Sequence, residues 1–186
     1  MRITTGVLKG KKIIPPRFKK LRLTGEKVRK AIFDVLGEHV KKAVVLELFA
    51  GSGALGLEAI SRGAESVVFV DNKKECIEAI KNNIPSEFRT KTKIIQRDCF
   101  EAIDGLVRCG ENFDLIILDP PYKKGLVSLI LKKISENSIL LKPKAIIVVE
   151  HHRDEKLELE VVRELLLLKQ KRYGETVVSF LGLYQR

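Results

Sequence analysis

Four consecutive residues, Asp119-Pro120-Pro121-Tyr122, close an apolar run, Leu115-Ile116-Ile117-Leu118. This is a set suited to making a planar, ring-conjugated amino group react. The lone pair of such an amine is delocalised into its ring, so it attacks poorly until it becomes more tetrahedral. Asp119 and a carbonyl held in place by the prolines, that of Pro120, can accept the two N–H bonds and aim the lone pair at an electrophile. Tyr122 offers a face on which an extruded base stacks. Pro120 and Pro121 stiffen the loop, so less order is lost on binding. Where the electrophile is a sulfonium methyl, the leaving group is already activated and the transfer needs no metal. The other reading of the tetrapeptide is a strand-terminating turn with a surface tyrosine.

Three further candidate positions lie at the ends of other strand-like runs. The segment Glu47-Leu48-Phe49-Ala50-Gly51-Ser52-Gly53-Ala54-Leu55-Gly56 satisfies the G-x-G-x-x-G spacing, and Asp71, followed by Asn72, stands twenty residues after Gly51. Glycines let backbone approach a ligand, and the acid can accept from ribose hydroxyls. A nicotinamide-dependent oxidoreductase would show both features. Glu47 argues otherwise: a carboxylate at the end of a buried strand needs a cationic or donor partner, and S-adenosylmethionine carries an α-ammonium group and no pyrophosphate. Asp98, before Cys99-Phe100, could accept from an adenine amine while the neighbouring apolar groups sandwich the ring. A helix N-cap is its alternative role. The cofactor expectation is therefore S-adenosylmethionine, held by Glu47, Phe49, Ala50, Gly51, Ser52, Gly53, Asp71, Asn72, Asp98, Cys99 and Phe100.

Positioning these residues takes an α/β sheet. After Lys41-Lys42, short β-rich runs alternate with helical segments, and the strands expected are 44–49, 66–71, 93–98, 113–119, 145–150, 159–169 and 176–184. Continuous apolar runs such as Ile146-Ile147-Val148-Val149 suit strands buried on both faces of a mainly parallel sheet. Upstream, Gly6, Gly10 and Pro15-Pro16 around two alternating stretches predict a β-hairpin. Thr24 as N-cap, with Val28, Ala31, Ile32, Val35 and Leu36 on one stripe and Gly37 as the stop, predicts a helix that leaves Arg29 and Lys30 off its apolar face.

Charge separates residues 1–22, a basic arm, from the catalytic-size domain of residues 23–186. Residues 1–30 hold eleven Lys and Arg against the single acid Glu26, whereas the other 156 residues hold 24 basic and 23 acidic side chains. That concentration is the footprint of phosphate-backbone binding, although a solvated tail would have the same composition. Arg2, Lys9, Lys11, Lys12, Arg17, Lys19, Lys20, Arg22 and Arg29 are the candidate nucleic-acid contacts. Since the arm precedes every cofactor-binding strand end, it is expected to add affinity for nucleic acid without touching the cofactor site. Cys76, Cys99 and Cys109 show no metal-ligand spacing and read as reduced packing residues. His39, His151 and His152 match no catalytic motif, and solvated or capping positions are expected for them. No apolar run is long enough for a membrane span and no signal peptide is evident, so a cytoplasmic monomer is the default.

The chain resembles the bacterial RsmD-type methyltransferases, which make N2-methylguanine in small-subunit ribosomal RNA. The likeness lies in Met1-Arg2-Ile3 with Gly10-Lys11, Arg22-x-Thr24 with Val28-Arg29, 48–56, Ser61-Arg62-Gly63-Ala64, Asp119-Pro120-Pro121-Tyr122 and Lys171-Arg172-Tyr173-Gly174. It departs at Leu23, where that family usually has Pro, and at Glu26-Lys27, where it has Asp-Arg. The resemblance implies a Rossmann-like class I methyltransferase fold: a seven-stranded mixed sheet with an antiparallel last strand, helices on both faces, and an N-terminal hairpin and helix extension. It also implies the substrate, one guanine of an assembled or assembling 30S particle. Amino-group methylation of DNA, at adenine N6 or cytosine N4, would use the same proline motif, but the chain carries no separate DNA-recognition domain. A non-catalytic RNA-binding or assembly protein on the same fold is a further alternative.

Overall fold

The computed structural model describes residues 1–17, 25–121, 125–155, 157–158, 162 and 164–183. Among them, one sheet of seven strands runs β1 (Val44–Leu48), β2 (Ser66–Asp71), β3 (Thr92–Gln96), β4 (Phe113–Leu118), β5 (Leu141–His152), β6 (Leu165–Tyr173) and β7 (Thr176–Leu183). The helices are α1 (Glu26–Leu36), α2 (Ala54–Ser61), α3 (Lys74–Asn83), α4 (Cys99–Arg108) and α5 (Leu126–Glu136). The spatial order is β3-β2-β1-β4-β5-β7-β6, and β7 alone runs opposite to the other six strands. The expected mixed sheet with an antiparallel last strand is what forms.

Strand order reverses at β1, which sits between β2 and β4, and ligands of open α/β sheets bind beyond the carboxyl ends at such a point. Register sets which loops meet there. Leu48 pairs with Val70 on one side and with Leu118 on the other, so Phe49, Asp71 and Asp119 leave the sheet at one level. The strands are apolar on both faces because helices cover both. Val45, Phe69, Ile117 and Val148 pack with α1, α2 and α3, while Leu46, Leu118, Ile147 and Val149 pack with α4 and α5.

The sixth strand lies later than expected, at Leu165–Tyr173. Its register is fixed from the hairpin turn, where Tyr173 pairs with Thr176 and Gly174 adopts φ +64°. Lys171-Arg172-Tyr173 is thus strand, with Gly174 in the turn. The apolar run 165–168 sits at the far end of the pairing, and residues 159–161 and 163 lie outside the described residues.

The N-terminal hairpin forms as expected, with Ile3 N–H donating to Lys11 O at 3.0 Å and Ile13 N–H to Met1 O at 2.9 Å. It is built into the domain rather than extended from it, since Ile3 and Ile13 belong to the core cluster of α1 and α2. Gly6, at φ +85°, lies against α2 so closely that a Cβ would stand 1.8 Å from Ser61 O. Only glycine suits that position.

Helix α1 corrects the reading of Arg29. Its buried stripe is Arg29, Ile32, Phe33 and Leu36, rotated from the expected 28, 31, 32, 35, 36 set, and Arg29 is fully buried. Its Nε meets Glu58 of α2 at 3.2 Å, also fully buried, and its other nitrogens reach Arg2 O and Met1 Sδ. Burying a guanidinium is tolerated only when it is paired and hydrogen-bonded. Arg29 fastens the hairpin and is unavailable to a phosphate. The N-cap expected at Thr24 lies outside the described residues, and α1 begins after Gly25.

Candidate active site

The glycine loop leaves β1 through Phe49, a non-glycine residue at φ +58°, and Ala50 N–H donates to Val70 O at 3.0 Å. A side chain held in the left-handed region costs free energy, and such strain clusters where ligands are clamped. Glu47 anchors the far end of the loop. One oxygen accepts from Gly56 N–H at 2.8 Å, and Leu55 N–H also bonds the carboxyl, so this strand residue satisfies the unpaired first amides of α2. Gly56 is required by packing, since a Cβ would lie 2.4 Å from Phe69 Cε1 and 2.6 Å from the Glu47 oxygen.

Asp71 grips the loop from the other side. Its two oxygens accept from Gly51 N–H and Lys73 N–H, each at 2.9 Å. The carboxyl also lies beside the buried Cys76 thiol, which burial and Asp71 together push up to about 12. Asn72 follows, exposed.

Asp119 is half-buried, Pro120 buried and Pro121 exposed, one step beyond β4. Glu47, Asp71 and Asp119 form a group of three acids. Burial pushes the Glu47 carboxyl up to about 8, and repulsion from Asp119 and Asp71 adds to the rise. A pyrophosphate placed here would face the Asp71 and Asp119 carboxylates, with the Glu47 carboxyl buried behind them. A ligand bearing cationic groups would relieve them, so the donor set fits a sulfonium with an α-ammonium group.

Asp98 caps α4: its side chain accepts from Phe100 N–H at 2.9 Å, and it is exposed at the end of β3. Capping, the second of its two readings, is therefore realised. Cys99 is buried under it and Phe100 is half-buried, packed on the same core. Tyr122 lies outside the described residues, as do Lys19, Lys20 and Arg22.

Of the described basic candidates, Arg2, Lys9, Lys12 and Arg17 are exposed and Lys11 is half-buried. Arg2 is steadied by donating to Gly10 O at 2.7 Å.

Two residues that sequence reasoning passed over organise the site. Glu58 gathers Thr4 N–H at 2.9 Å, Thr5 N–H at 3.1 Å, Arg29 and Arg62. Its signal was a lone acid in the otherwise apolar 54–60 run. Asn83, 2% exposed, accepts from Ile14 N–H at 2.9 Å and donates to Ile14 O at 2.8 Å and to Ser52 O at 3.0 Å. It ties the hairpin to the glycine loop, contrary to the expected independence of arm and cofactor site, and no local pattern marks it.

Other side chains also differ from expectation. Cys109 is exposed at the end of α4, unlike the packed Cys76 and Cys99. His151 is buried, with Nε2 at 2.9 Å from Ser179 Oγ, and burial holds its pKa below the ordinary histidine value. Among the described residues no group of three or more His, Cys, Asp or Glu is placed to hold a metal ion, and no helix is long and apolar enough to cross a membrane.

A family model described as Conserved hypothetical protein 95 matches residues 1–182. The chain is 34% identical over 180 residues to a Bacillus subtilis protein named as a candidate rRNA methyltransferase, YlbH, covering 96% of this chain and 97% of that protein. It is 32% identical to the ribosomal RNA small subunit methyltransferase D of Haemophilus influenzae, over 100% of this chain and 93% of that one. Among solved structures, a methyltransferase candidate of Escherichia coli, yhhF, superposes with a TM-score of 0.84 at 27% identity, covering 98% and 97% of the two chains.

Proposed function

We propose that this chain, which belongs to the family described as Conserved hypothetical protein 95, transfers a methyl group from S-adenosylmethionine to the exocyclic N2 of one guanine in 16S ribosomal RNA. The observation that carries the reading is the convergence of Glu47, Asp71 and Asp119 at the switch point between β1 and β4. That convergence suits a cationic methyl donor with an amine acceptor beside it. It also weighs against a nicotinamide cofactor, whose phosphates would meet the Asp71 and Asp119 carboxylates. The relatives named as small-subunit rRNA methyltransferases, matched along nearly their whole length, support the RNA substrate.

S-adenosylmethionine would be held by the loop 47–53, by Asp71 and Asn72, and by Asp98 with Cys99 and Phe100. When bound it supplies a methyl group on an already activated sulfonium. The chain's own work is to receive the guanine. Asp119 and the carbonyl of Pro120 accept the two N2–H bonds, which pyramidalises the nitrogen and points its lone pair along the line of transfer. Pro121 keeps that carbonyl in place, and Tyr122 stacks on the base. As N2 gains a methyl it becomes cationic, and Asp119 stabilises that charge and accepts the proton released. Lys9, Lys11, Lys12 and Arg17 on the hairpin, with Lys19, Lys20 and Arg22 following, carry the RNA backbone in a cytoplasmic setting.

The test is methylation of naked 16S RNA and of 30S particles with labelled cofactor, followed by nucleoside analysis. N2-methylguanosine is the expected product. N6-methyladenosine or N4-methylcytidine would refute the choice of guanine, and label on DNA alone would refute the choice of RNA.

A further inference from the structure

The block Lys171-Arg172-Tyr173-Gly174 has no part in the methyl-transfer site, yet the sheet brings it to the same end of the molecule. Strands β5 and β6 are both antiparallel to β7, which lies between them, so the carboxyl end of β6 opens on the same side as those of β1, β4 and β5. Register fixes the level. Leu118 pairs with Val149, Val149 with Ser179 and Ser179 with Gln170, which makes one row across the sheet. The next row holds Glu150, Val178 and Lys171, and Asp119 leaves β4 at that level. Lys171 therefore stands level with Asp119, three strand spacings or about 14 Å away along the sheet.

Every residue from Leu166 to Arg172 is exposed. Lys169 and Lys171 pair with Phe180 and Val178 of β7, both in the core beneath α1–α3, so the two lysines lie on the face that also carries the N-terminal hairpin. Arg172 donates from Nε to Gly174 O at 2.9 Å, which steadies the guanidinium and leaves its terminal nitrogens for another acceptor. Neither β6 nor β7 contains an acid, and among the described residues none pairs with these three cations. By contrast, Lys30, Lys41, Lys74, Lys93, Lys132 and Lys142 each stand within 4.0 Å of a carboxylate. A cluster of one sign that the fold leaves unneutralised complements a polyanion. Lysines on an edge strand also discourage sheets from pairing edge to edge, which is the alternative that an experiment must separate.

We infer that Lys169, Lys171 and Arg172 bind phosphates of the RNA on the flank of the target guanine away from the hairpin. The inference rests on the RNA substrate proposed above. The hairpin is fastened to α2 and α3, the helices that follow β1 and β2, whereas β6 closes the opposite edge of the sheet, and the end of β4 lies between. Cations on both sides of the acceptor end form a track for a single strand, which holds the backbone without reading sequence. Recognition of the reacting base stays with the loop after β4.

The experiment is binding of 16S RNA to the full chain carrying Lys169→Gln and Lys171→Gln together, measured over a range of salt. Affinity at low salt should fall about tenfold, and the slope of log affinity against log salt should shrink by about two. Arginine at both positions should restore both quantities. Cofactor affinity and thermal unfolding should match the native chain, and the loss in methylation should fall on KM rather than kcat. In phosphate-ethylation interference, the β6 variant and Lys9→Ala with Lys12→Ala should each relieve phosphates on a different flank of the methylated guanine. Relief of the same flank by both would overturn the inference. So would native RNA affinity and salt slope, and if that variant also self-associated, the lysines would be guards of the edge. A loss seen with 30S particles but not with naked RNA would put a ribosomal protein on this strand, and it too would overturn the inference. A native KM in a double variant that methylates RNA sinks this inference alone. A salt-dependent binding loss in a chain that methylates no RNA supports the track and removes the proposed function.

Discussion

Replacing Glu47 by Gln should make the protein more stable at pH 8 than the native chain. Burial at the end of β1 is the main cause that moves the carboxyl from 4.5 to about 8, Asp119 and Asp71 add to it, and the Gly56 and Leu55 amides oppose it. In the unfolded chain the same group ionises near 4.5. Between those values the native state keeps a proton that the unfolded state has released. The contribution to stability is therefore full below about pH 4.5, declines as pH rises, and is lost once pH passes about 8. A shift of about 3.5 units at 1.36 kcal/mol per unit sets a ceiling of roughly 5 kcal/mol, a large share of a domain's total stability. Gln has the same shape and no charge, and its oxygen can still accept from Gly56 N–H. Urea unfolding of both chains at pH 5 and pH 8 reads the difference: the native chain should lose several kcal/mol and the variant should lose much less of it. Equal losses, or a variant weaker than the native chain at pH 8, would show that this carboxyl is not the source. The same substitution should weaken S-adenosylmethionine binding at least tenfold, because an amide cannot neutralise an ammonium group.

Asp119→Asn should lower kcat by about a hundredfold or more and leave cofactor affinity, read by titration, within a few-fold of native. Asn83→Ala leaves the buried Ser52 carbonyl without this partner, at roughly 1–3 kcal/mol for a buried group left unpaired, and removes the two part-buried bonds to Ile14; thermal unfolding should show the loss, and cofactor affinity should fall with it because the glycine loop loosens. Deleting residues 1–16 should therefore weaken cofactor binding as well as RNA modification, and full retention of cofactor affinity would contradict the clamp. Arg29→Met strands the Glu58 charge and should cost about 3–5 kcal/mol in urea unfolding, toward the lower end since Arg62 also pairs with Glu58. It should leave the salt dependence of RNA binding unchanged, whereas Lys9→Ala with Lys12→Ala should reduce that slope by about two.

The strand ends were legible in the sequence because their signals are local. A buried strand must be apolar, so an acid or a glycine at its end stands out, and Glu47, Asp71, Asp98 and Asp119 all fall where the periodicity stops. The seven-stranded mixed sheet with its antiparallel last strand followed from the α/β alternation with the family likeness, whereas the strand order and the reversal at β1 are set by pairings between distant segments. What the chain did not announce are contacts between distant segments. Arg29 fits the buried spacing of Ile32, Phe33 and Leu36 as well as any apolar residue would, but a charge reads as exposed until its partner is known, and Glu58 is 29 residues away. Asn83 is an ordinary helix-end residue whose role depends on Ile14, 69 positions earlier, and on Ser52, 31 earlier.

These distant contacts change how the basic arm should be understood. A free arm would be an affinity tag, exchanging with solvent and contributing only charge. Here Glu58 and Ser61 of α2 hold Thr4, Thr5, Val7 and Leu8, and Asn83 holds Ile14 against the glycine loop. The exposed cations of the hairpin therefore sit at fixed positions relative to Ser52 and, through Glu47 and Asp71, to Asp119. RNA bound there would be registered against the reacting amine rather than merely concentrated near it, and proximity of that kind speeds a reaction only when the frame holding both partners is stiff. Softening the frame at Asn83 while leaving every cation in place separates the two roles. Registration predicts a fall in kcat at saturating RNA, whereas simple attraction predicts a kcat equal to that of the native chain.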